Sequence, residues 1–224
     1  MAESARTIPS FPLTTEIDMT RAKELRARIA ELDAGPAPSF TDIVVAACGR
    51  ALREHPRVNA AYDDGAVTQF GRVNVGIAVD AGNALLVPTI TDADTRSLSS
   101  VAARTKELAE HARSGRITPA ELEGATFTVS NLGMFGVTVF EAVINPPQAA
   151  ILAVGALREL PRFVDGELRA VPVMTVTLTS DHRVLDGAEA ARFLRRLAAL
   201  VERPMALLLD PHVNDDRGDD RGMG

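Results

Sequence analysis

The chain has 224 residues, 46% of them hydrophobic and 24% charged, with a net charge of −6. That balance describes one large globular domain and excludes a nucleic-acid-binding surface, which would be basic. The longest apolar runs, IVVAAC (43–48) and AAILAVGAL (149–157), are too short for a membrane helix, and MAESARTIPSF has no signal-peptide apolar region, so a cytoplasmic location is expected.

The first element predicted is an edge strand over IPSFPLTTEIDM (8–19), where Pro9 and Pro12 occupy positions whose missing N–H an edge tolerates. A helix over 20–33 follows, with Thr20 as its cap, Leu25, Ile29 and Leu32 at helical spacing, and GPAP (35–38) at its end. Ser39 or Thr41 caps a second helix that runs to His55 and Pro56. Cys48, the single cysteine, sits in its apolar stretch and reads as a core thiol, with no partner for a disulfide or a thiolate metal cluster. Short strands are expected over 58–62 and 66–70. RVNVGIAVDAGNALLVPTI (72–90) reads as two strands joined by a turn at Asp80, Ala81, Gly82 and Asn83.

Leu98 to Ala112 is an amphipathic helix by spacing. GATFTVSNLG (124–133) is a strand with Phe127 and Val129 on one face and Thr126, Thr128 and Ser130 on the other, stopped by Asn131 and Gly133. QAAILAVGAL is a buried strand, FVDGELR (163–169) a hairpin turning at Asp165 and Gly166, and VPVMTVTLTS (171–180) alternates, with Met174, Val176 and Leu178 on one face. From Asp186 onward Ala190, Phe193, Leu194, Leu197 and Val201 make the stripe of a last helix, which Pro204 interrupts. The acidic, glycine-rich end (210–224) is expected to be disordered. Strands and helices do not alternate regularly, so the fold class is α+β, a central mixed β-sheet flanked by helices.

SDHRVLDGAEAARFL (180–194) places titratable residues between a strand and a helix. Asp186 and Glu189 have the spacing of a capping box, and Asp181 can close a turn. A cap needs no imidazole, so local pattern leaves His182 open as catalyst or structural residue. Ser130 also ends a strand, where a hydroxyl bonded to its own turn is the commoner role. His55, His111 and His212 make no metal-ligand spacing, so no metal is expected; no phosphate-cradling glycine loop is present.

DHRVLDG (181–187), FTVSNLGMFGV (127–137) and INPPQAAILAVG (144–155) together resemble the catalytic domain of the dihydrolipoyl acyltransferases of 2-oxo-acid dehydrogenase complexes. The resemblance extends from about residue 7 to about residue 209 and includes VNVGIAVDAGNALLVPTI and GRITPAELEGATFT. Residues 1–209 are therefore expected to be an acyltransferase domain with its N-terminal helix truncated or absent. The resemblance implies a chloramphenicol acetyltransferase-like fold, homotrimers, and an active site in a channel between subunits, with a larger cubic assembly in doubt because of the acidic end. Coenzyme A enters that channel from one end and a lipoyl group, supplied in trans by a lipoyl domain of the complex, from the other. It also implies the catalytic roles: His182 as general base, Ser130 as hydrogen-bond donor to the oxyanion, and Asp186 ordering the loop. SNLGMFG is closer to acetyl-transferring (pyruvate dehydrogenase) than to succinyl-transferring relatives.

The chemistry suits these residue types. A thiol with a pKa of about 8.5 is a few per cent thiolate at neutral pH and needs a base, and a thioester under attack develops an oxyanion that needs a donor. Two rival readings are a free-standing acetyltransferase of the chloramphenicol type, acylating a hydroxyl, and a trimeric scaffold without turnover.

Overall fold

In a computed structural model, which describes residues 3–32, 37–82 and 84–209, the chain opens with one helical turn, α1 (Ser4–Thr7), tied down where the Ser4 hydroxyl donates to the Ile144 carbonyl at 2.7 Å. The expected edge strand follows as β1 (Ser10–Asp18). In α2 (Thr20–Glu31) the expected cap is not used: Thr20 is already helical, and its N–H is held at 2.8 Å by the Asp18 carboxylate. Met19, the residue at the cap position, is fully buried, and its side chain makes no cap hydrogen bond. For α3 (Phe40–Glu54) Ser39 is the cap, in a reciprocal box with Asp42 (3.1 and 2.6 Å) that leaves Thr41 free for another use.

β2 (Ala60–Asp63) and β3 (Ala66–Gln69) form a separate two-stranded ribbon. Residues 72–90 depart from expectation, giving four short strands where two were predicted: β4 (Val75–Ile77), β5 (Val79–Asp80), β6 (Leu85–Leu86) and β7 (Thr89–Ile90). β4 and β7 join the main sheet while β5 and β6 make a small ribbon of their own. Two causes lie in the residues. Pro88 has no N–H for a continuous ladder, and Gly76 lets the chain pass so close that a Cβ would lie 2.8 Å from the Val87 side chain. Of the predicted turn, Asn83 lies outside the described residues, as do Gly35 and Pro36 of the expected helix end, His212 and the whole stretch 210–224.

α4 (Leu98–Arg113), α5 (Pro119–Leu122) and β8 (Phe127–Asn131) lead to two fifteen-residue strands, β9 (Ala150–Val164) and β10 (Glu167–Asp181). Their turn uses φ of 53° at Asp165 and 83° at Gly166, the left-handed pair that an Asp-Gly hairpin favours. The last helix is α6 (Gly187–Glu202), and the chain continues past Pro204 as a 3₁₀ turn (Pro204–Leu208).

The six-stranded sheet runs β1-β10-β9-β8-β4-β7, antiparallel at both ends and parallel through β9, β8 and β4, so it is mixed. α3 and α6 pack together over it. Phe127 of β8 meets Phe193 of α6 at 5.7 Å between ring centroids, and Met174, Val176 and Leu178 of β10 lie in the same buried cluster. Each such buried side chain contributes roughly 1.5–3 kcal/mol of transfer free energy, which fixes the sheet and therefore the strand ends that carry the candidate site. Cys48 is fully buried there, and burial pushes its thiol far above the ordinary range, in keeping with a core role.

Candidate active site

His182 follows β10 in a loop pinned on both sides. Its peptide N–H donates to the Pro9 carbonyl at 2.9 Å, at the entry to β1. Its neighbours bind each other: the buried Asp181 carboxylate accepts from the Arg183 peptide N–H (2.9 Å), Nε (3.0 Å) and Nη2 (2.7 Å). The Arg183 guanidinium also lies 4.1 Å over the Tyr62 ring. The Asp181 carbonyl accepts from the N–H groups of Val184 (3.0 Å) and Leu185 (2.9 Å), whose side chains are buried. With its neighbours tied together, the residue between them faces outward. His182 is exposed and rests against Phe11 at 4.8 Å between ring centroids, and among the described residues no group hydrogen-bonds either ring nitrogen.

Asp186 closes this loop as the cap of α6, accepting the Glu189 N–H at 2.8 Å. That bond first, and then the Ala188 N–H and the charges of Arg192 and Arg57, hold its carboxyl below the usual carboxylate range. The expected capping box is only half formed, because Glu189 pairs with Arg57 (3.1 Å) and does not return to Asp186. Arg57, which no local pattern singles out, also donates to the Val184 carbonyl at 2.8 Å. It braces the loop from a segment more than a hundred residues away.

Ser130 ends β8 on the face expected for it, half-buried and opposite Ala153 of β9. The turn after it is held by its neighbour: the Asn131 side-chain oxygen accepts the Gly133 N–H at 2.7 Å. Gly133 is required there, since a Cβ would lie 2.7 Å from the Gly155 carbonyl oxygen. Among the described residues nothing hydrogen-bonds the Ser130 hydroxyl, so Ser130 does not serve the turn. Ser130 borders a cavity of about 430 Å³, with Ile77, Val79, Leu108 and Phe135 among its apolar walls and Asp80 and Arg113 as its charged ones. A second cavity, of about 320 Å³, lies between Tyr62, Pro146, Asp181 and Arg183, on the His182 side.

One chain does not bring Ser130 and His182 together. The Asp181 N–H bonds the Ala149 carbonyl at one end of β9, whereas Ser130 is registered with Ala153 on the other side of that strand. Four residues along and two strands across amount to roughly 15–20 Å. The other histidines stay away from both. His55 packs edge-on against Phe193 and burial lowers its pKa, and His111 lies 3.1 Å from Glu121.

The family model described as 2-oxoacid dehydrogenases acyltransferase (catalytic domain) matches residues 1–209. The chain belongs to that acyltransferase family. It is 40% identical over 210 residues to the dihydrolipoyllysine-residue acetyltransferase component of the pyruvate dehydrogenase complex of Zymomonas mobilis, covering 93% of this chain and 48% of that one. It is also 40% identical over 214 residues to the lipoamide acyltransferase component of the branched-chain alpha-keto acid dehydrogenase complex of Pseudomonas aeruginosa, covering 94% and 50%. The chain thus spans about half the length of these relatives. Among solved structures, the dihydrolipoamide acetyltransferase of Azotobacter vinelandii superposes with a TM-score of 0.86 at 33% identity, covering 93% of this chain and 87% of that one. Chloramphenicol acetyltransferase, with a TM-score of 0.54 at 15% identity, shares the fold.

The Azotobacter structure was studied for the role of a serine, a histidine and an asparagine in catalysis. Those three are separated by 52 and 4 residues, the same intervals that separate Ser130, His182 and Asp186 here. In this chain the third position is an aspartate, which accepts the Glu189 N–H through a carboxylate oxygen.

Proposed function

We propose that the chain transfers an acyl group between the thiol of a dihydrolipoyl arm and the thiol of coenzyme A, with His182 of one subunit and Ser130 of another completing each site. The observation that carries this reading is that both side chains end strands with no hydrogen-bonding partner among the described residues, yet lie too far apart to act within one chain. His182 takes the proton of the incoming thiol. Its thiolate sulfur bonds to the thioester carbon, and the carbonyl π electrons move onto oxygen, where the Ser130 hydroxyl donates to the developing charge. Collapse restores the carbonyl and breaks the bond to the second sulfur, which leaves as a thiolate and takes the proton back from His182. Asp186 and Arg57 touch neither substrate. They position the loop.

A homotrimer is the proposed unit, because exposed Met134, Phe135 and Val139 follow Ser130 directly and offer an apolar surface to a neighbour's His182 loop. Residues 1–209 form the catalytic domain in this reading, and a lipoyl domain of a pyruvate dehydrogenase-type complex is the partner that brings the second thiol. Acetyl is the proposed acyl group. The choice rests on SNLGMFG, which is closer to acetyl-transferring than to succinyl-transferring relatives. The family works in bacteria and in mitochondria, so a cytoplasmic location is proposed from the sequence alone.

Acetyl-CoA, succinyl-CoA and a branched-chain acyl-CoA offered with free dihydrolipoamide test the reaction. Acetyl transfer with the highest kcat/KM is expected. Preference for the branched-chain group would replace acetyl, and acylation of a hydroxyl acceptor without transfer to dihydrolipoamide would favour a chloramphenicol-type activity.

A further inference from the structure

The Asn131 amide has both of its ends engaged, and neither bond follows from local pattern. Nδ2 donates to the Thr41 hydroxyl oxygen at 2.7 Å, and Oδ1 accepts the Gly133 N–H at 2.7 Å. Thr41 belongs to the first turn of α3, ninety residues earlier, and that helix is anchored by the Ser39–Asp42 box and a fully buried run from Ile43 to Val45. Alternation along β8 sends the two neighbouring side chains to opposite faces, Asn131 toward the helices and Ser130 away from them. The Ser130 carbonyl side is therefore clamped to a rigid helix. Its other side is held in the sheet, where the Val129 carbonyl accepts the Ala78 N–H at 2.9 Å.

We infer that Asn131, through Thr41, is a positioning residue for the oxyanion donor: it fixes the backbone at Ser130 so that the serine hydroxyl, which has no partner of its own, is aimed without a direct bond. This rests on the reading of Ser130 as the donor. A donor that must sit 2.7–3.1 Å from a developing charge loses its effect when its backbone drifts by less than an ångström, so the cost of loosening Asn131 falls on the transition state and not on substrate binding.

The test is a double-mutant cycle on the full chain, measured as acetyl transfer from acetyl-CoA to free dihydrolipoamide. Asn131→Ala is expected to lower kcat by about tenfold, with KM for coenzyme A changed less than about twofold. Made in the Ser130→Ala background, the same change is expected to have almost no further effect, because the group it aims is gone. Thr41→Val removes one of the two bonds with little change of shape and is expected to behave likewise with a smaller loss. It decides the matter should Asn131→Ala fail to fold, and Thr41→Ser is expected to restore wild-type kcat. Equal losses in both backgrounds, or an unchanged kcat in Asn131→Ala or Thr41→Val, would overturn the inference. A Ser130→Ala variant with full kcat would overturn instead the reading of Ser130 on which it rests.

Discussion

Replacing His182 by alanine is expected to lower kcat for acyl transfer by about 10²- to 10⁴-fold, the usual contribution of a positioned general base, while the protein stays folded. The separation of the two effects follows from the structure. The bonds that shape the loop belong to its neighbours: Arg183 to Asp181, Arg57 to Val184, Asp186 to Glu189, and the backbone of residue 182 to Pro9, which alanine retains. The ring itself is exposed and meets Phe11, a contact worth about 1 kcal/mol. Steady-state kinetics and thermal unfolding on one preparation check this. Near-normal turnover would remove His182 from the mechanism, and a large fall in melting temperature would make it a structural residue.

Ser130→Ala is expected to lower kcat by about 10²- to 10³-fold, with KM for coenzyme A little changed. An oxyanion donor acts on charge that exists in the transition state and barely in the ground state, so its loss appears in turnover. The competing role, a hydroxyl that stabilises its own turn, predicts intact kcat and a stability loss of about 1 kcal/mol. That role is already filled by Asn131, whose oxygen holds the Gly133 N–H. Ser130→Thr keeps a hydroxyl in a strand that contains Thr128, and is expected to retain measurable activity. Unchanged kcat in the alanine variant would end the assignment.

Where a feature depends on residues close in the chain, it was legible in the sequence. Asp165-Gly166 dictates its turn by positive φ, Ser39 is one of the two caps expected for α3, and Met174, Val176 and Leu178 of β10 enter the core as their spacing predicts, although the polar face of that strand is buried as well. The features that were not legible depend on distant groups. Residues 72–90 split into four strands because Gly76 lies against Val87 and Pro88 cannot donate, which no period in that segment reveals. Thr20 has the right chemistry for a cap, but it is already inside the helix and the Asp18 carboxylate accepts its N–H.

The candidate site divides in the same way. Its loop motif and its serine were visible as strand-end residues, and resemblance supplied their roles. The freedom of the Ser130 hydroxyl was not visible, because it depends on Asn131 taking over the turn and on Thr41 holding Asn131 from another helix. Neither was the separation of the two residues within one chain, although the resemblance implied a site between subunits. That separation follows from β9 running between Ser130 and the His182 loop, a matter of strand order alone.

The shared site can be tested directly by co-expressing the Ser130→Ala and His182→Ala chains and isolating the mixed trimers. Each variant supplies the group the other lacks. In a closed ring of three with head-to-tail interfaces, every mixed trimer pairs an intact His182 with an intact Ser130 at one of its three interfaces, so about a third of the wild-type rate is expected from two chains that are separately almost inactive. Activity no greater than the sum of the two variants alone, in trimers shown to contain both chains, would contradict a site built from two subunits.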